Sequence, residues 1–306
     1  MLSAVVVGIM VLISQYFNNP EIIFPEISAI AVGSLVSPKL SWNVNKWRMF
    51  LCIVICAIGG VLIVKFIPTP IWIQMVIGYF FAQAFFIFSK TTFAPMISAM
   101  VLPIMLQTST VVYIFSAVGF TALIIAVRTF LEKCGVVSKE KYIKLLSSKL
   151  ADYTKVIVRS IVVLPIIFCM LEFDWKFAVA PPLLVAFTEF SNSNKTSSFL
   201  FKAVALITGA SFLGSMCRYV LTVRLGIPLF ISAIIGMIFV ILLMNVLKTY
   251  IPPAGAVTIL AMLIPEKYIL IYPLEILFGI ILLAVISKFC YKFIFAKLGI
   301  KKASTV

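Results

Sequence analysis

Residues 248–265 read KTYIPPAGAVTILAMLIP. An apolar run opens on two prolines and closes on a third, about ten residues long where a membrane-spanning helix needs roughly 20. Residues 90–107 read KTTFAPMISAMVLPIMLQ, the same order of Lys-Thr, proline and short apolar segment, 158 positions earlier. Two further short runs carry proline at or near the start. They are PEISAIAVGSLVSP at 25–38, about 14 residues or roughly 21 Å of helix, and AVAPPLLVAFTEF at 178–190. Proline suits a first helical turn, where its missing N–H would be unpaired anyway.

The rest of the chain sets these runs in a membrane. Of 306 residues, 63% are hydrophobic and 11% charged, and mean hydropathy is +1.20. A soluble domain carries about a quarter charged residues, and disorder needs the opposite composition. Both are excluded, and an all-α polytopic membrane protein is expected. Apolar runs fall near 2–18, 25–38, 49–67, 69–89, 93–107 and 109–131, then near 153–172, 177–190, 199–222, 226–247, 252–265 and 268–296.

Their order suggests tandem duplication. Lys90 and Lys248 are offset by 158 residues, Pro25 and Pro182 by 157, Arg48 and Lys202 by 154, Lys65 and Arg218 by 153. The expected organisation is membrane repeat 1 at 1–131, a basic cytoplasmic linker at 132–152, membrane repeat 2 at 153–296 and a cytoplasmic tail at 297–306. Each repeat holds about six segments, two of them short broken or half-spanning helices. If all twelve segments cross, 20 of the 25 Lys and Arg lie on the linker side; if the second and fifth of each half are re-entrant, 16 do. The positive-inside rule prefers twelve crossings, with both termini cytoplasmic in the cell membrane. Six crossings per half make the repeats parallel.

The chain has no histidine, which removes His-ligated metals and Ser-His-Asp triads. Its six cysteines form no CxxC, and no carboxylate pair or nucleophile–base arrangement appears, so no catalytic role, metal or cofactor is expected. The formal charge of +15 is read as topology rather than as nucleic-acid binding.

Paired short segments in corresponding places of two halves point to a transport site. The candidate substrate-binding residues are Pro25 and Ser28, Pro95 and Ser98, Pro182 and Thr188, and Pro253, Gly255 and Thr258. Hydroxyls and helix starts suit a small anion, although a lone Ser or Thr more often bonds its own helix backbone. Gly255 is expected to allow close backbone approach. Glu189 and Arg218 are candidate coupling or interface charges, with Glu189 alternatively an interfacial partner of Lys195. Glu26 is read as a carboxylate favoured at a helix start.

Pro252-Pro253-Ala254-Gly255-Ala256, the apolar run after them, Pro273 and the long helix with Gly279 resemble the HPP family of integral membrane proteins, as does APPLLVAF upstream. The resemblance covers residues 175–296, and the histidine that names the family falls at Ile251. FPEISAIAVGSLVSP, Arg48 and Gly59-Gly60 in the first half are also similar to the membrane half of fusaric-acid and aromatic-acid exporters. Members of the HPP family have been linked to nitrite transport. The resemblance thus implies a carrier or channel for a small anion such as nitrite. The alternatives are an exporter of aromatic or amphipathic organic acids and a non-transporting membrane scaffold or complex subunit. Expected partners are the lipid bilayer and a small anionic solute, with no nucleic acid and with self-association left open.

Overall fold

A computed structural model describes residues 1–37, 39–145, 149–192 and 195–296; the expected tail at 297–306 lies outside them. Twelve helices, and no strand among the described residues, occupy the twelve apolar runs. They are α1 (Leu2–Tyr16), α2 (Glu26–Ala31), α3 (Lys46–Phe66), α4 (Ile71–Phe88), α5 (Pro95–Leu106) and α6 (Val111–Lys133). The second half holds α7 (Lys149–Glu172), α8 (Pro181–Ser191), α9 (Ser197–Met216), α10 (Leu229–Leu247), α11 (Pro252–Leu260) and α12 (Tyr272–Ala296). A π-helical turn prolongs α2 over Val32–Val36, and another prolongs α9 over Cys217–Arg224. Among the described residues, seven helices are long and apolar enough to cross a bilayer: α3, α4, α6, α7, α9 with its extension, α10 and α12. The chain is an all-α polytopic membrane protein.

Local chemistry sets the helix limits. The Asn45 side chain caps α3 by accepting from the Arg48 N–H at 2.7 Å, and Thr196 caps α9 by accepting from the Phe199 N–H at 3.1 Å. Such caps satisfy N–H groups that a helix start leaves free. Prolines occupy the first positions of α5, α8 and α11. Left-handed residues end the helices before each short segment: Asn18 and Asp174 after α1 and α7, Lys90 and Lys248 after α4 and α10.

The four short helices form the centre. α2 packs on α5 and α11, and α8 packs on the same two, closing a ring. Every residue of α2 and of α11 is buried. The long helices surround this ring and turn their large apolar side chains outward, among them Phe81, Phe115, Phe201 and Val246. Packing in the two halves runs in parallel. α3 lies on α5 and α6, as α9 lies on α11 and α12; α4 receives α7, as α10 receives α1. Tyr113 on α6 donates to the Ala99 carbonyl at 2.9 Å, and Tyr272 on α12 donates to the Val257 carbonyl at 2.7 Å. Gly60 faces the Met100 carbonyl and Gly214 the Thr258 carbonyl, where a Cβ would lie only 2.3 and 2.6 Å away. Both glycines let a long helix touch the backbone of a short one.

α2 and α5 run in opposite directions between the two ends of the bundle. The Ser116 hydroxyl donates to the Ile22 carbonyl near the start of α6, and Arg128 donates to the Ser34 carbonyl twelve residues further along in both segments. α2 therefore runs beside α6 from one end of the bundle toward the other. α5 starts next to the α2–α3 loop, where the Thr92 N–H donates to Asn43. It ends at Gln107, which donates to Gln74 near the α3–α4 turn. The linker folds over the end where α2 finishes and α5 begins. Its Glu140 accepts from the Leu40 N–H, its Ile143 N–H donates to Asn43, and Tyr142 donates to the Lys90 carbonyl. Both inter-helix loops and the linker thus share one end of the bundle, the linker end.

Candidate functional site

The first turns of α2 and α11 meet inside the ring, and α5 comes beside α2 at Ser98. Pro25 is the N-cap of α2, Pro95 is the first residue of α5, and Pro182 and Pro253 stand in the first turns of α8 and α11. A Cβ on Gly255 would lie 3.2 Å from the Ser28 carbonyl group, so the close approach at Gly255 is made by the backbone of α2. The Ser28 hydroxyl donates to the Pro25 carbonyl at 2.6 Å, and Thr258 donates to the Ala254 carbonyl at 3.0 Å. The Ser28 hydroxyl thus serves its own helix start, while that of Thr258 also reaches the Ala210 carbonyl of α9 at 3.3 Å. Ser98 differs: its hydroxyl is fully buried and has no hydrogen-bond partner.

Thr188 belongs to a buried polar group that joins three helices. Gln83 on α4 donates to Thr188 at 2.6 Å and to the Tyr79 hydroxyl at 2.8 Å. Arg159 on α7 donates to the Gln83 carbonyl oxygen at 3.3 Å and to the Asn192 side chain at 2.6 Å. Arg159 is 0% exposed, its Nε has no partner, and among the described residues no carboxylate pairs with it. A buried guanidinium held only by neutral oxygens retains its full positive charge and a free N–H. That arrangement suits a planar or compact anion.

Acidic groups stand apart from it. Glu26, the first residue of α2, is 0% exposed and neither carboxylate oxygen has a hydrogen-bond partner. Ser98 lies beside it without a formed bond, and Glu189 faces it from α8. Glu189 is partly buried and accepts from the Trp42 indole N–H at 2.9 Å, with Lys195 nearby. Arg218 is spent elsewhere: it donates to the Ala261 and Ile264 carbonyls and so closes the end of α11.

A cleft of about 400 Å³ opens at the linker end among α2, α3, α6 and the linker. Its walls carry Lys46, Lys139 and Arg128 against Glu132 and Glu140, and it reaches Ser34 at the end of α2.

Arg159, Gln83, Tyr79 and Asn192 are absent from the residues that sequence reasoning singles out, and Glu26 is read there only as a helix-start carboxylate. Arg159 follows a lysine-rich stretch and reads as a topology charge. The available signal is its position inside the apolar run VIVRSIVV at 156–163, because an ionisable residue within a membrane segment is functional by default. No family model, no curated protein and no solved structure matches the chain.

Proposed function

We propose that this protein transports a small anion such as nitrite across the cell membrane, as a carrier or a channel. One observation carries the reading. Arg159 is buried beside Tyr79, Gln83, Thr188 and Asn192 with an unpartnered Nε and no acidic partner among the described residues. An anion would accept a hydrogen bond from the free Nε–H and offset the cost of burying the guanidinium, a cost that is large for an unpaired ion.

The halves 1–131 and 153–296 are read as parallel tandem repeats. The matched packing of α3–α5 with α9–α11, and of α4–α7 with α10–α1, supports that reading. The linker end is read as cytoplasmic on its lysines and arginines. The HPP resemblance over 175–296 agrees with a small-anion substrate.

Purified protein in proteoliposomes tests the function. Uptake of isotope-labelled nitrite is expected above that of protein-free vesicles, and Arg159→Gln is expected to lower it at least tenfold in a protein that still elutes as a folded species. Equal uptake by wild-type and protein-free vesicles, or by wild type and Arg159→Gln, refutes the reading.

A further inference from the structure

We propose that Glu26, with Ser98, is the proton-carrying site of this transporter, so that anion movement is coupled to loading and release of one proton on the Glu26 carboxyl. The inference rests on the transport reading and extends it to the driving ion.

The geometry is that of a missing proton partner. Both Glu26 oxygens and the Ser98 hydroxyl are fully buried, adjacent and unpartnered. An isolated carboxylate in a dry interior is strongly disfavoured and takes up a proton instead. A protonated Glu26 has one O–H to donate, and the Ser98 oxygen can accept it after a small rotation. A hard metal cation would take about six oxygens or more, and this pair supplies three.

The surroundings leave Glu26 without a counter-charge. Tyr113 faces it from α6, but its hydroxyl is committed to the Ala99 carbonyl. Arg128, Glu132 and Lys133 lie at the far end of α6. Glu189 faces it from α8 and is itself bonded to Trp42. α5 and α11 carry no titratable side chain, and α1 carries only Tyr16 at its exposed end. The 3₁₀ turn before α2 brings Glu21, which bonds Thr110.

The place of Glu26 gives the proton a mechanical effect. The first turn of α2 touches α11 of the other half at Ser28 and Gly255, two residues on from Glu26. With the proton on, the closed ring contains no naked charge. With the proton off, the same ring encloses an unpaired carboxylate and favours a conformation that admits water. Protonation therefore shifts the population between closed and open states, the relation a proton-coupled carrier requires. The proton leaves to water from the Glu26 oxygen and returns to it.

The test uses the full chain in proteoliposomes with labelled nitrite, subtracting protein-free vesicles to remove leakage of nitrous acid. An imposed pH gradient, acidic on the side of nitrite addition, is expected to accelerate wild-type uptake at least tenfold. In Glu26→Gln the gradient should have no effect, while exchange of labelled for unlabelled nitrite at equal pH remains measurable. A gradient response that persists in Glu26→Gln overturns the inference, as does a response to sodium in place of pH. If Glu26→Gln fails to fold, infrared spectra decide. Wild type should show a carboxylic-acid C=O stretch at neutral pH whose frequency moves in Ser98→Ala, and absence of that band overturns the inference. Wild-type nitrite flux indifferent to pH overturns this inference alone. Absence of any wild-type flux overturns the transport reading and this inference with it.

Discussion

The Trp42 indole donates to Glu189 across 2.9 Å, and this bond ties the loop after α2 to the end of α8 in the other half. The Trp42 ring also lies against Gly33 and meets Phe93 edge to face. Trp42→Phe keeps most of that packing and removes the donor. It should destabilise the protein by about 1–3 kcal/mol, the range for a lost buried hydrogen bond. Glu189→Ala should cost a similar amount, and the double variant little more than either alone. Unfolding in detergent measures all three; additive losses would show that the bond contributes nothing.

Gly60 and Gly214 should tolerate alanine poorly. The added methyl group meets the Met100 or Thr258 carbonyl, and overpacking of this kind costs about 1–3 kcal/mol. Gly119, exposed on α6 with nothing within 4 Å of a Cβ, is the control. Gly119→Ala should be neutral or stabilise by up to about 1 kcal/mol, the helix-propensity difference. Gly255→Leu should fail in assembly rather than in transport alone, because its side chain has to displace the α2 backbone. Equal melting temperatures for all four variants would contradict the packing described.

Arg128 holds the end of α2. It donates to the Ser34 carbonyl and pairs with Glu132, which also binds Lys46. Arg128→Met leaves a buried carbonyl and a poorly compensated carboxylate, and should cost about 3–5 kcal/mol. Replacing Arg128 and Glu132 together by apolar residues should cost less than Arg128→Met. Denaturant midpoints decide the order.

Topology is open to thiol labelling in intact cells. Cys134 is exposed and Cys169 half-buried, so both are replaced first. Cysteine at Asn19 should react with an impermeant reagent, and cysteine at Ser138 or Ser197 should be protected. Labelling of Ser197→Cys with protection of Ser138→Cys would break the grouping of loops at the linker end.

The twelve helices were legible because proline and charge interrupt the apolar runs: Pro95 and Pro252 open helices where expected. Their ends were less legible. The run through residue 265 stops being helical at Leu260, where Arg218, distant in sequence, takes the released carbonyls. Thr188 was found because it lies on a short segment. Its partners Gln83 and Arg159 lie on long helices; nothing local shows that Gln83 turns inward, and only its place inside an apolar run marks Arg159. Glu26 is at a helix start, as read, but its burial depends on a ring whose members come from both halves.

That ring has a consequence for biogenesis. α2, α5, α8 and α11 span 6 to 12 residues each, are buried by other helices, and present almost no surface to lipid. Such segments are too short to partition into a bilayer by their own hydrophobicity. Each must be held at the membrane by its longer neighbours until its companions have been synthesised. α2 and α5 meet α11 and α8 only after the second half emerges from the ribosome, so the N-terminal six helices wait in the bilayer with an unfinished interior. The last helices to be made complete the seal around the first.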